Sequence, residues 1–239
     1  MDVKTNLFFE GYVVSSKLSM QHVSKSYHQL GVAVDIFDDV SIDFMQGSSY
    51  AIMGASGSGK STAIHLLAGI DTPTCGHIYF DDCNIASFSA EQAALFFHKN
   101  ISLVFQQAAL FAELTVLENV MLKVILAGQV TAASYEHAHA LLQEVGLADK
   151  VQAYPTMLSG GQQQRVAILR AIFMVPQFLL VDEPTGNLDE QTSDQVIDLL
   201  LHYHKKYGMG LIMSTHNQKI ADRMESIIRV ENRKLVSVK

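Results

Sequence analysis

Gly54-Ala55-Ser56-Gly57-Ser58-Gly59-Lys60-Ser61, followed by Thr62, matches the pattern G-x-x-x-x-G-K-[ST] in full. Glycines at these positions let backbone N–H groups wrap closely around an oxyanion. A helix starting at the end of the loop adds unsatisfied N–H donors and a favourable dipole. In this pattern the lysine reaches the β- and γ-phosphates of a nucleotide and the hydroxyl binds Mg²⁺, so Lys60 and Ser61 are expected in those roles. The motif needs a strand before it and a helix after it. The apolar run from Ser49 to Met53 and the helical pattern from Ser61 to Gly69 meet both conditions.

A second chemical signal is Phe178-Leu179-Leu180-Val181-Asp182-Glu183. Four apolar residues ending in two acids place both carboxylates at the C-terminal edge of a buried strand, where open α/β sheets bind ligands. Asp182 is expected to hold Mg²⁺. Glu183 is positioned to take a proton from an attacking water. These motifs indicate nucleotide phosphate chemistry. The Asn-Lys-x-Asp pattern that selects guanine is absent, and Asn217-Gln218-Lys219 does not replace it.

The third signal is Leu158-Ser159-Gly160-Gly161-Gln162, continued by Gln163-Gln164-Arg165. A serine and two glycines at a helix start form another anion site. This octapeptide resembles the signature of ABC-type ATPases, and so does its place before the Asp-Glu strand. The resemblance extends over roughly residues 17–238. It implies that Ser159, Gly160, Gly161 and Gln162 close over the γ-phosphate held by the P-loop of a second copy. Each chain then holds two half-sites that complete each other only in a pair.

The resemblance implies further roles. Tyr27 matches the aromatic that stacks on adenine. Gln106 matches a glutamine that touches Mg²⁺ and the attacking water and hinges the helical region. Asn187-Leu188-Asp189 matches a loop that crosses the dimer interface, and His216 a histidine that senses the γ-phosphate. ATP and Mg²⁺ are the implied cofactors. The implied partners are a second copy and separate membrane permease subunits, with the chain on the cytoplasmic face of a bacterial inner membrane. Pro184-Thr185-Gly186-Asn187-Leu188-Asp189, Glu113 to Val120 and Val145 to Asp149 resemble the subgroup of lipoprotein-releasing, macrolide-export and cell-division ATPases. The lipoprotein-releasing type is favoured among these. In a cell-division type, ATP would instead regulate a membrane partner. Three positions depart from the family: Asn217 replaces an acid after the histidine, Asp82 stands where glycine is common, and Phe111-Ala112 lacks a proline before Glu113.

The elements that must carry these residues follow from patterning. Leu18 to Val23 and Val40 to Phe44 alternate as half-buried strands, so the early region reads as antiparallel β, with a polar turn near His28 to Gly31. Ile78 to Phe80, Phe178 to Val181 and Leu211 to Ser214 are further strands. Helices are expected over roughly 106–150, over Gln162 to Met174 and over Gln191 to Tyr207, with Gly146 and Pro176 as stops. The expected class is α/β: the P-loop NTPase fold of ABC ATPases, with an antiparallel β subdomain and an inserted α-helical subdomain. Residues 1–17 are set apart as a leader, 18–105 and 165–239 as the core, and 106–164 as the helical subdomain.

Composition agrees. In 239 residues, 49% are hydrophobic and the net charge is −7, which excludes a disordered chain. No apolar run reaches the roughly 18 residues of a membrane span. An acidic balance argues against generic nucleic-acid binding and against a DNA-handling ATPase. Cys75 and Cys83 are too few for a disulfide framework and match no zinc spacing, so two reduced thiols are expected. His137/His139 and His202/His204 are i,i+2 pairs, which do not share a helix face, so no metal site is expected there.

Overall fold

The computed structural model describes residues 15–29 and 32–239. Strands β3 (Ser49–Met53), β6 (Ile101–Val104), β7 (Phe178–Asp182), β8 (Gly210–Thr215) and β9 (Ser226–Glu231) run parallel in the order β9-β3-β8-β7-β6. An antiparallel strand, β10 (Lys234–Ser237), closes the β9 edge. The strands β3, β7 and β8 are buried at every position, as expected of a parallel sheet covered on both faces. Side chains alternate between those faces. Ile52, Phe178, Leu180 and Ile212 join one core cluster; Met53, Leu179, Val181, Leu211 and Met213 join the other.

The first cluster is closed by helix α1 (Lys60–Leu67) and a four-stranded antiparallel sheet. That sheet contains β1 (Lys17–Gln29), β2 (Val32–Met45), β4 (Cys75–Phe80) and β5 (Cys83–Asn84) in the order β2-β1-β4-β5. Ile64, Leu66 and Leu67 of α1 pack with Leu18, Met20, Phe44 and Ile78 of this sheet. The second cluster runs through α3 (Val116–Leu126), α4 (Ala132–Glu144), α5 (Gly160–Ile172) and α6 (Glu190–Tyr207). Thr115 and Ser159 start α3 and α5 with capping boxes, satisfying orphan N–H groups at each start. Asp189 caps α6, which ends at Gly208 in the left-handed region (φ 63°).

The antiparallel early region and the α/β core agree with the sequence reading. The stretch 106–115 does not: it is a loop, and the helices of this region are confined to α3 and α4. Side chains take the bonds a helix would have made. Fully buried Asn119 accepts from Phe111 N at 2.9 Å and donates to the carbonyls of Phe111 (3.0 Å) and Leu114 (3.1 Å). Arg170 donates to the Ala109 and Ala108 carbonyls at 2.9 and 3.0 Å. These side chains give several of the loop's backbone groups partners outside a helix.

Helix α2 (Ala90–Asn100), strands β6, β9 and β10, and short α7 (Gln218–Ala221) were not anticipated. No side chain of α2 is fully buried; Phe96 and Phe97 pack, partly buried, against the first core cluster. The expected boundary between 164 and 165 falls inside α5, which is continuous. Of the expected leader, Leu7-Phe8-Phe9 lies outside the described residues, as do Leu30 and Gly31 of the expected turn. Residues 15–17 are tied to the sheet: Gln46 N donates to the Ser16 carbonyl at 2.8 Å, and Lys17 pairs with Met45 in β1.

Candidate active site

Strands β3, β7 and β8 end side by side, with β8 in the middle. The loop leaving β3 is the P-loop, β7 ends in the acids with Asp182 its last residue and Glu183 directly after, and the residue after β8 is His216. Strand order, not chain order, brings these groups together.

Ser56, Gly57, Gly59, Lys60, Ser61, Thr62, Gln106 and Glu183 line one cavity of about 340 Å³, with Ile36 at its wall. Gly57 and Gly59 hold φ of 75° and 107°, which only glycine adopts without strain. A Cβ on Gly54 would come within 2.4 Å of Ser58 Oγ, so the loop closes on itself there. Ser58 Oγ is buried without a hydrogen-bond partner. Lys60 Nζ is almost fully buried; it donates to the Gly54 and Ala55 carbonyls at 3.1 Å and faces Glu183 Oε1 at 3.1 Å.

Ser61 Oγ donates to Asp182 Oδ1 at 3.0 Å. The same carboxylate oxygen accepts from Ser214 Oγ at 2.6 Å, and Ser214 Oγ in turn accepts from Glu183 N at 2.9 Å. Ser214 therefore clamps both acids from the middle strand. Sequence reading did not single it out. The signal was there: a serine directly after the apolar run Leu211-Ile212-Met213, fully buried at the strand's end. His65 of α1 also lies 3.8 Å from Asp182 Oδ2.

Glu183 adopts a left-handed backbone (φ 40°) directly before Pro184. A non-glycine residue held there is strained by about 1–3 kcal/mol and is kept there by its surroundings. Its N–H bond to Ser214 is one such restraint. Glu183 Oε2 meets His216 Nδ1 at 3.2 Å. Asn217, in place of an acid, caps α7 by accepting from Lys219 N at 2.9 Å. It leaves the contact between His216 and Glu183 in place.

Tyr27 stands on β1, and its hydroxyl donates to Asp71 Oδ2 at 2.6 Å. Burial and that bond raise the Tyr27 hydroxyl above its usual pKa, with the neighbouring Thr62 hydroxyl acting the other way. Gln106 packs against Gly186, where a Cβ would meet its Nε2 at 2.7 Å.

The signature residues lie apart from this cavity. Ser159 caps α5 and forms a capping box with Gln162, whose Oε1 accepts from Ser159 N at 2.9 Å. Ser159 and Gly160 are exposed, and none of Ser159 to Gln162 lines the P-loop cavity. Gly160 instead borders a cleft of about 470 Å³ shared with Gln106, Asn187 and Leu188. Gly161 is the close-packed member: a Cβ there would sit 2.3 Å from Thr192 Cγ2.

These groups fit a nucleotide with a divalent metal. A carboxylate and two hydroxyls around Asp182 are the hard oxygen donors that suit Mg²⁺. Next to them lie a buried ammonium, an orphan hydroxyl on Ser58 and loop N–H groups, the donors that a triphosphate requires.

Comparison with known proteins agrees. Residues 37–186 match the family model described as ABC transporter. A lipoprotein-releasing system ATP-binding protein LolD of Nitratidesulfovibrio vulgaris is 44% identical over 86% of this chain and 88% of its own length. The protein of the same name from Geobacter metallireducens is 39% identical over 94% of this chain and 100% of its own length. Among solved structures, the dimeric post-hydrolysis state of the ATP-binding cassette MJ0796 bound to ADP and Pi superposes with a TM-score of 0.83 at 32% identity. That likeness covers 91% of this chain and 96% of that one. With its P-loop, acids and histidine meeting at three strand ends and a separate signature helix, the chain belongs to the ABC transporter family.

Proposed function

We propose that the chain is the ATP-binding and ATP-hydrolysing subunit of a lipoprotein-releasing ABC transporter, working as an ATP-sandwich pair. Two observations support the pairing: the exposed Ser159–Gly160 segment does not line the P-loop cavity, and the solved relative is dimeric. The names of the similar proteins support the transporter type. No helix among the described residues is long and apolar enough to cross a membrane. In this reading a separate membrane permease is the partner that holds the chain at the cytoplasmic face.

In this reading the loop from Gly54 to Thr62 cradles the phosphates, and Tyr27 offers its ring to the base. Ser61, Asp182 and Gln106 would hold Mg²⁺, which would supply positive charge against the phosphates. Lys60 gives up its contact with Glu183 as its ammonium turns to phosphate. The freed Glu183 carboxylate faces the attacking water as general base, and His216 steadies it from the other side. Ser159 to Gln162 of the second copy complete the γ-phosphate site. Catalysis is then positioning and charge stabilisation.

The observation that carries the reading is that Glu183 meets Lys60 through one carboxylate oxygen at 3.1 Å and His216 through the other at 3.2 Å. The test is co-purification. Tagged chain expressed in its own host is expected to bring down an integral membrane permease, and the reconstituted complex to release a bound lipoprotein with ATP. A complex that hydrolyses ATP but releases no lipoprotein would reject the transporter type while leaving the ATPase.

A further inference from the structure

We infer that a partly buried ion pair, Lys25 with Asp71, is the positioning device that aims the Tyr27 ring at the base of the nucleotide. The inference rests on the proposed base-stacking role of Tyr27 and extends it to two residues to which no role has been given.

Lys25 and Tyr27 lie two apart on β1, so both side chains leave the same face of that strand. Lys25 is buried, with its side chain 9% exposed, and its Nζ meets Asp71 Oδ1 at 2.6 Å. The same ammonium donates to the Thr72 carbonyl at 2.8 Å. It also lies 4.6 Å from the centroid of the Tyr27 ring. The other oxygen of Asp71 takes the Tyr27 hydroxyl at 2.6 Å. Asp71 thus holds the base-stacking candidate by its tip, and Lys25 covers one face of its ring. In this inference the opposite face is offered to a base.

Charge argues the same way. Burial pushes the Asp71 carboxyl up, but hydrogen bonds from Lys25, Tyr27 and the Thr72 N–H outweigh it and hold the group below the usual carboxylate range. Asp71 therefore stays an acceptor for the tyrosine hydroxyl at neutral pH. A tyrosine has two side-chain torsions, and fixing both before the ligand arrives lowers the ordering cost of binding. Asp71 lies in the turn that follows α1, and α1 begins at Lys60, so the device is built on the helix that leaves the P-loop. Ring and phosphate cradle are held in one frame.

Such a device acts on the base and not on the phosphates. Affinity is compared for Mg²⁺-ATP and for Mg²⁺-tripolyphosphate, which has no base. The full chain carries Asp71→Ala, Lys25→Met, Tyr27→Phe or Tyr27→Ala. The expected result is that Asp71→Ala and Tyr27→Phe each weaken ATP about 5- to 10-fold, with tripolyphosphate within twofold of the parent. Lys25→Arg, which restores the ion pair, is expected to rescue what Lys25→Met loses. Tyr27→Phe deletes only an oxygen, so it serves if Asp71→Ala does not fold. The inference is overturned if Tyr27→Phe binds ATP like the parent while Tyr27→Ala does not. It is overturned equally if tripolyphosphate weakens in parallel, since the effect would then be general damage. If Tyr27→Ala itself leaves ATP affinity unchanged, the stacking role falls and the positioning role with it.

Discussion

Lys60 Nζ and Glu183 Oε1 lie 3.1 Å apart, joining the candidate phosphate-binding lysine directly to the candidate general base. An ammonium this deeply buried needs a counter-charge. Glu183 is that counter-charge, together with two carbonyls of the P-loop. In the proposed mechanism, phosphate oxygens would take over the ammonium and release the carboxylate on the side that faces His216. Nucleotide binding and arming of the base would then be one exchange of partners.

This exchange separates two variants. Glu183→Gln is expected to bind ATP and to accumulate as a dimer, while turnover falls about 10²- to 10⁴-fold. Lys60→Ala is expected to lose ATP binding, leaving Glu183 without its cation. Phosphate release and size-exclusion chromatography with ATP read both. Parental turnover in Glu183→Gln would refute the assignment of the base.

Ser214→Ala tests the clamp between the two acids. The substitution orphans the Glu183 N–H and removes a donor from Asp182, a loss of about 1–3 kcal/mol at a buried position. Turnover is expected to fall about 10-fold or more, with a smaller change in ATP affinity. Equal turnover in parent and variant, measured at saturating ATP, would show that Glu183 needs no restraint from β8.

Gly161→Ala tests the packing of the signature helix on α6. The added Cβ would sit 2.3 Å from Thr192 Cγ2, so the Thr192 side chain must turn away from its bond to Asp189 or the two helices must part. Overpacking of this kind is expected to cost about 1–3 kcal/mol in denaturant unfolding. Thr192→Ser removes that methyl and keeps the hydroxyl that donates to Asp189. The double variant is therefore expected to recover most of the loss. Failure to recover would place the strain elsewhere.

Lys123 offers a pH signature. Burial pushes its ammonium down from the ordinary 10.5 to about 8. Its Nζ donates to Ser102 Oγ at 2.6 Å and the His98 carbonyl at 3.2 Å. Below about pH 8 the charge is buried on folding and lowers stability. From there to about 10.5 the unfolded chain binds a proton that the folded chain has lost, so stability rises with pH. A depression of that size corresponds to about 3 kcal/mol. Lys123→Met forfeits two hydrogen bonds, so a net gain of about 1–2 kcal/mol at pH 7 is expected. The difference from the parent is expected to shrink toward pH 10. Thermal unfolding across this range reads it, and a gap that widens with pH would contradict the assignment.

Local patterns carried much of this protein in the sequence. The strand–loop–helix around Lys60, the acids at the end of Phe178–Asp182 and the serine start of α5 are each contained in one short segment, because propensity, capping and anion binding act over a few residues. The continuous apolar runs of β7 and β8 already marked strands covered on both faces. The tertiary structure decided what depends on which strands become neighbours. Ser214 meets Asp182 across 32 residues and Ser61 meets it across 121, because β8 lies between β3 and β7. The loop 106–115 escaped local reading for the same reason: Asn119 and Arg170 bond several of its backbone groups from α3 and α5. The Lys25–Asp71–Tyr27 cluster joins β1 to the turn after α1 across 44 residues or more. A hydrogen bond formed over such a span is set by packing, and no periodicity along the chain records it.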